Sequence, residues 1–151
     1  MLGDLPAPLD PDPDRCIALL AQLPGKIHLV LGNHDRALKR LRKTGQPLLG
    51  GRVQFMERSE RVEGFYRFKR DGRSCVLNHH PVEDWPGMAL HGRGPRPEDP
   101  LTGRWHLHGH SHGASRGVPA RLDVGWDTNN GILSWESVQE LMQIRARILM
   151  M

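Results

Sequence analysis

The apolar positions in the first third of the chain follow a helical spacing first and a strand pattern next. Apolar side chains recur at helical intervals over residues 16–23, and Pro24-Gly25 ends this predicted helix. The short apolar run 26–31 predicts a buried strand, which ends directly at Gly32-Asn33-His34-Asp35. A second helix is predicted over residues 36–43, so helix and strand alternate in this part of the chain.

Strands dominate the pattern in the rest of the chain. Four segments have the apolar character of short strands, namely 61–69, 73–77, 105–108 and 121–124. The second of them ends at Asn78-His79, and the third ends at Gly109-His110. Because polar motif residues directly follow the strands, the pattern predicts an α/β fold that binds a ligand at its strand ends.

Loops and one last helix complete the predicted elements. Residues 5–14 predict a rigid, acidic connecting loop, and 86–103, rich in proline and glycine, predict a long irregular loop. Residues 127–131 predict a turn. Ser134 then predicts the N-cap of a final helix, whose apolar side consists of Val138, Leu141, Met142 and Leu149.

The composition is that of an ordinary globular protein. With 151 residues, 38% hydrophobic and 25% charged, we expect one domain over 1–151. No apolar run could span a membrane and no signal pattern opens the chain, so we expect a cytoplasmic protein without a membrane partner. Cys16 and Cys75 lack the spacing of a metal knuckle and are expected to be reduced thiols. The formal net charge of +4 suits an anionic substrate.

Short polar motifs occur in a fixed order along the chain and point to metal chemistry. They are Gly3-Asp4, Gly32-Asn33-His34-Asp35, His79 and Gly109-His110-Ser111-His112, each next to glycine or in a turn after an apolar run. Together they offer a carboxylate, an amide oxygen and several imidazoles. This mixture of ligands suits a divalent transition metal such as Mn, Fe or Zn.

The order of these motifs resembles that of the calcineurin-like metallophosphoesterases, especially the small bacterial and phage members. The resemblance covers nearly the whole chain and extends to residues 122–127 and to Ser134. It implies a two-sheet β-sandwich with helices outside. It also implies two divalent ions about 3.5–4 Å apart, which share a hydroxide that attacks phosphorus in line. The expected activity is that of a phosphodiesterase or phosphatase.

The resemblance also assigns roles to individual residues. The expected metal ligands are Asp4, Asn33, His79, His110 and His112. Asp4 would bridge both ions, His112 would bind the first ion, and the other three would bind the second. His34 would act as a general acid toward the leaving oxygen or the phosphoryl oxygens, and Asp35 is best placed to orient the His34 ring.

The remaining histidines near the motifs are assigned separately. If the strand 105–108 continued, its period of two would place His106, His108, His110 and His112 on one face. Four such imidazoles cannot crowd around one ion without severe constraint. With His110 and His112 assigned as ligands by the resemblance, we expect His108 just outside the ligands and His106 in the core or at the surface. His80 stands where related proteins tend to have Tyr, and it is expected to face solvent.

One motif of the family is missing. The family opens with Asp-x-His ahead of Gly-Asp, and this triplet occurs nowhere in the chain. We therefore expect an N-terminally truncated domain that lacks the first strand, with little activity of its own. A fragment or an internal start is the leading explanation. A short protein that binds one metal weakly, and a non-catalytic scaffold that binds a protein partner, remain as alternatives.

The substrate class follows from charge and composition only in outline. A small phosphodiester or phosphomonoester is favoured, because few aromatic side chains are present for stacking on nucleic-acid bases. A nuclease acting on nucleic acid is the alternative. Residues 36–43 carry a basic cluster, expected to be a solvated helix face, with phosphate steering as the alternative. Loop 86–103 is either a lid or a surface loop. No oligomeric state is predicted.

Overall fold

The computed structural model describes residues 12–56, 66–81, 105–114 and 121–148. These residues fall into two compact units, one ending at Met56 and one beginning at Tyr66, and each unit is described by itself. Both units mix helices with a small β-sheet, which confirms the α/β class. The face-to-face sandwich and the single domain stay predictions, and Asp4 and the loop 86–103 lie outside the described residues.

The first unit contains the alternating elements that the sequence predicts. Helix α1 spans Pro13–Gln22, strand β1 spans Ile27–Leu29 and helix α2 spans Arg36–Thr44. A single 3-10 turn at Leu49–Gly51 leads into strand β2 at Val53–Phe55, which pairs in parallel with β1.

Both helices of this unit have identifiable ends and share one core. The Asp12 side chain caps α1 by accepting a hydrogen bond from the Asp14 backbone N–H at 2.9 Å. Gly45 ends α2 with a φ of 69°, a left-handed conformation that glycine adopts without a steric penalty. The buried side chains that form the core come from both helices, both strands and the segment before the 3-10 turn: Cys16, Leu20, Ile27, Leu29, Ala37, Leu38, Leu48 and Val53.

The second unit is built on a four-stranded sheet. Its strands are β3, β4, β5 and β6, at Tyr66–Arg70, Arg73–Leu77, Trp105–His108 and Arg121–Asp123, and they lie side by side in that order. Strand β3 is antiparallel to β4, whereas β4, β5 and β6 are mutually parallel. The carboxyl ends of these three parallel strands therefore lie at one edge of the sheet, and the segments that leave them start side by side.

Two helices follow the sheet. The short α3 spans Trp126–Asn129, so the turn predicted at 127–131 is wrong in its first half; the chain turns afterwards, at Asn130, with a φ of 52°. Helix α4 spans Trp135–Ile148, and the Ser134 hydroxyl accepts a hydrogen bond from the Ser137 N–H at 3.1 Å, which confirms the predicted cap.

Helix α4 is attached to the sheet by an apolar stripe and a polar contact. Val138, Met142 and Ala146, spaced one helical turn apart, are buried, while Leu149 lies outside the described residues. The Arg145 guanidinium donates to the Arg121 carbonyl at 2.5 Å, which ties the helix to β6.

Two further expectations concern the whole chain. Cys16 and Cys75 are both free, as expected of reduced thiols. Both are buried, and burial raises the pKa of the Cys75 thiol to about 11. Within the described ranges, every helix is too short or too polar to cross a membrane.

Candidate metal centre

The turn after β4 brings two neighbouring histidines into one group. The strand ends at Leu77, and the Asn78 N–H donates to the Leu107 carbonyl at 3.2 Å. The Asn78 side-chain oxygen then accepts from the His80 backbone N–H at 2.8 Å and closes a tight turn. Because the chain has left the extended conformation, His79 and His80 no longer need to point to opposite faces as strand residues do.

A second turn, after β5, carries His110 to the same place. Strand β5 ends at His108, so the four histidines from 106 to 112 do not share one strand face. The Gly109 N–H donates to the His79 carbonyl at 3.1 Å, which joins the two turns directly. His110 has a φ of 63°, in the left-handed region that side-chain-bearing residues rarely occupy. This backbone arrangement brings the His110 ring beside the ring of His79.

The three histidines form a compact cluster of ring nitrogens. One ring nitrogen from each of His79, His80 and His110 lies within 4.8 Å of the other two, and His79 Nε2 is 3.2 Å from His110 Nδ1. The ring centroids are 4.2–5.0 Å apart and the ring planes are steeply inclined. His79 is buried, His80 is half-buried and His110 is exposed, so the cluster opens from the interior toward solvent. The group could hold a metal ion.

His80 is the member of this cluster that the sequence prediction missed. It was expected to face solvent, whereas its Nδ1 is inaccessible to solvent and its ring centroid is 4.2 Å from that of His110. The signal in the sequence was the asparagine just before the two histidines, because a side-chain amide at that position favours a turn that can bring neighbouring side chains together.

His112 pairs with a carboxylate instead of joining the three histidines. Its Nδ1 makes a hydrogen bond with Asp127 Oδ2 in α3, and this bond lowers the pKa of Asp127. Both side chains are largely exposed, at 80% and 53%. A carboxylate that holds one ring nitrogen in this way commonly orients the other toward a metal. The assignment of His112 to the first metal ion stays a prediction.

Asp123, at the end of β6, holds the turn that carries His110 and His112. Its carboxylate accepts hydrogen bonds from the Ser111 hydroxyl at 2.6 Å and from the Gly113 and Gly125 N–H groups at 3.1 and 2.9 Å. Burial alone would raise the pKa of Asp123, but these hydrogen bonds and the nearby His108 lower it overall. Asp123 has no predicted role, although it lies in the segment 122–127 that contributes to the resemblance.

Gly125 separates the two carboxylates of this segment. A Cβ atom there would lie 2.9 Å from Asp127 Oδ1, closer than real Cβ atoms approach, and 3.0 Å from Asp123 Oδ1, which is a very tight contact. Glycine therefore lets one segment present both carboxylates to the turn at residues 109–113.

Two histidines of β5 lie in the interior next to this turn. His106 is buried, which matches the core, one of the two positions expected for it. Burial first, and then the nearby His108 and Arg121, lower the pKa of His106 to about 3. His108 is fully buried, and its Nδ1 donates to the Gly109 carbonyl at 2.9 Å, while burial lowers its pKa. His108 thus supports the backbone just before His110, which agrees with its expected place outside the ligands.

The first unit carries the remaining predicted site residues on one turn. Asn33 and His34 are exposed, whereas Asp35 is fully buried and accepts a hydrogen bond from the Gly32 N–H at 2.7 Å. The Lys39 ammonium donates to the Asn33 carbonyl at 3.2 Å. These contacts fix the turn between β1 and α2. Metal binding by Asn33 and proton donation by His34 stay predictions.

Comparison of the chain with protein-family models, with curated proteins and with solved structures finds no match. The candidate metal centre therefore rests on the chain's own residues. Within the described part of the chain, its firmest component is the cluster of His79, His80 and His110.

Proposed function

We propose that the chain is a metal-dependent phosphoester hydrolase of the metallophosphoesterase type. One observation carries the proposal. His79 and His110, which the motif order assigns to the same ion, lie in turns that follow separate strands and have ring nitrogens 3.2 Å apart. Two nitrogens that bind one tetrahedral ion at about 2.0–2.1 Å lie about 3.3–3.4 Å from each other. The spacing of the two rings therefore supports a shared ion.

The donor set fits a divalent transition metal, because imidazole nitrogens suit Zn, Fe and related ions. His79 and His110 would hold the ion, and Asn33 and Asp4 are the further ligands that the resemblance implies. A bound ion would supply Lewis-acid activation of a phosphoryl oxygen and of a water molecule. His34, exposed on its turn, would give a proton to the leaving oxygen.

The favoured substrate is a small phosphodiester or phosphomonoester, because the chain carries a net charge of +4 and few aromatic side chains. A nucleic-acid phosphodiester is the second candidate. The observation that favours it is the row of exposed basic side chains on α2, at Arg36, Arg40 and Lys43.

Hydrolysis of bis-p-nitrophenyl phosphate by the purified chain, with added Mn²⁺ or Zn²⁺, tests the proposal. We expect metal-dependent release of p-nitrophenol that a chelator abolishes. His110→Ala should remove this activity, because the substitution deletes one of the two paired ring nitrogens. His28→Ala is the matched control, since His28 is an exposed histidine of β1 and should keep the activity.

Single-stranded DNA serves as the second substrate in the same assay. A folded, metal-loaded chain that hydrolyses neither substrate contradicts the proposed function. Cleavage of DNA without hydrolysis of the small ester reverses the order of the two substrate classes.

A further inference from the structure

We propose that His80 is a metal ligand and that His79, His80 and His110 form a three-histidine zinc site with one open coordination position. The motif resemblance does not include His80, so this ligand set comes from the geometry of the second unit. The inference deepens the proposed function by naming the ion and by putting His80 in the ligand set in place of Asn33 and Asp4. The catalytic use of the bound ion rests on the proposed function, whereas the ligand set does not.

The distances within the cluster are close to those of a loaded site. His79 Nε2 and His110 Nδ1 are already 3.2 Å apart, and the ring nitrogens of all three residues lie within 4.8 Å of one another. A tetrahedral zinc ion holds its nitrogen ligands about 3.3–3.4 Å apart, so side-chain rotations that move the more distant nitrogen by about 1.5 Å would complete the set.

The backbone favours the convergence of neighbouring side chains. Asn78 fixes the turn by accepting from the His80 N–H, and the His79 carbonyl accepts from the Gly109 N–H. These two hydrogen bonds hold the backbone of His79 and His80, and of Gly109 next to His110, before any ion arrives. Pre-organisation of this kind reduces the conformational entropy that metal binding must overcome.

The ligand types disfavour the ions that prefer oxygen ligands. Each of the three donors is an imidazole nitrogen, and the cluster contains no carboxylate among the described residues. Mg²⁺, Ca²⁺ and Mn²⁺ prefer oxygen ligands, whereas Zn²⁺ binds imidazole well and accepts a tetrahedral arrangement. The nitrogen-only set therefore favours zinc over the oxygen-preferring ions.

The exposure of the cluster determines what the site can do. His79 is buried and His110 is exposed, so the ion would be held from the interior and face solvent on the other side. Three protein ligands and one position open to water or substrate are typical of catalytic zinc sites, whereas structural sites have four protein ligands.

Zinc titration of the metal-free full chain, in competition with a chromophoric chelator, tests the ligand set. We expect one tightly bound equivalent. His80→Ala and His80→Tyr should each weaken binding at least about 10-fold, since even residues that only support a ligand change metal affinity 10- to 100-fold. His28→Ala should bind zinc like the unmodified chain, because His28 lies on β1 in the first unit.

Cobalt substitution provides a second readout that depends on the ligands themselves. Four-coordinate Co²⁺ absorbs visible light much more strongly than six-coordinate Co²⁺, so we expect intense bands from the unmodified chain and weaker ones from His80→Ala. Far-ultraviolet circular dichroism of each variant separates the loss of a ligand from the loss of the fold.

The outcomes for His80 and for catalysis are independent. If His79→Ala abolishes zinc binding while both folded His80 variants keep the original affinity and cobalt spectrum, the inference is overturned. Zinc binding that depends on His80, in a chain that hydrolyses no phosphoester, supports the inference and contradicts the proposed function. Phosphoester hydrolysis that survives in both His80 variants with unchanged metal affinity supports the proposed function and contradicts the inference.

Discussion

Burial controls the charge of the two histidines in β5. Burial first, and then the nearby His108 and Arg121, lower the pKa of His106 to about 3. An unfolded histidine has a pKa of about 6.5. Between these two values the unfolded chain binds a proton that folded His106 does not bind, so the free energy of unfolding rises with pH in this range. Stability is therefore lost as the pH falls below about 6.5, and His108, whose pKa burial also lowers, acts in the same direction.

We predict that acidification from pH 7 to pH 5 lowers the free energy of unfolding by roughly 2 kcal/mol through His106 alone. His106→Gln should remove most of this dependence, whereas His28→Gln should leave it unchanged. Urea unfolding in the presence of a chelator, followed by tryptophan fluorescence, measures it. All four tryptophans follow residue 84 and therefore report on the second unit. An unchanged pH slope in a folded His106→Gln variant would refute this prediction.

The predictability of single residues depended on how local their environment is. Asn33, His34 and Asp35 sit on one turn because a strand ends just before them, and this is visible in the sequence. His80 was assigned to solvent because its environment depends on the turn at Asn78 and on the neighbouring strand β5. The turn at Asn78 has a local signal in the sequence, but the contacts with β5 bring together residues that are far apart along the chain, and no local pattern records those contacts.

At the scale of elements, apolar runs predicted strands well when they were long enough. Strands β4 and β5 occupy the predicted residues, and helix α2 ends within one residue of its predicted limit. Strand β2 was missed because it lies just after the glycine-containing turn at Leu49–Gly51, and glycine-rich segments are typical of loops. Its pairing with β1 is a long-range contact that stabilises a segment with little strand character of its own.

Helix α2 gives a prediction about charge. Arg36, Arg40 and Lys43 are exposed, whereas Lys39 is only partly exposed and donates to the Asn33 carbonyl. If the exposed residues steer a phosphate backbone, replacing all three by glutamine should flatten the dependence of log Kd on log salt. The slope for single-stranded DNA should change by up to about 0.7 for each phosphate that the variant no longer neutralises.

Fluorescence titration of a labelled oligonucleotide at several salt concentrations measures this slope. The matched control is a triple glutamine variant at Arg15, Lys26 and Lys69, which removes the same charge from exposed positions outside α2. If both variants keep the slope of the unmodified chain, the steering hypothesis is wrong and α2 is a solvated helix face.

At the scale of the whole molecule, the predicted ligands are divided between the two units. The three clustered histidines belong to the second unit, and Asn33 belongs to the first. A ligand stabilises only the structure that binds it, by about 2.7 kcal/mol at a free concentration of 100 times Kd. The distribution of that stabilisation along the chain therefore reports which residues hold the ion.

We predict that zinc at 100 times Kd slows hydrogen exchange in the second unit and leaves the first unit unchanged. The Asn78 and Gly109 amides, which bond across the ends of β4 and β5, should be protected most, because they fix the turns that carry the three histidines. The Ile27 amide, bonded to the Arg52 carbonyl, should exchange as it does without metal. Slowed exchange at Gly32, whose amide is bonded to Asp35, would instead show that the turn carrying Asn33 takes part in binding. The site would then include the amide ligand that the motif order implies, and three histidines would not suffice.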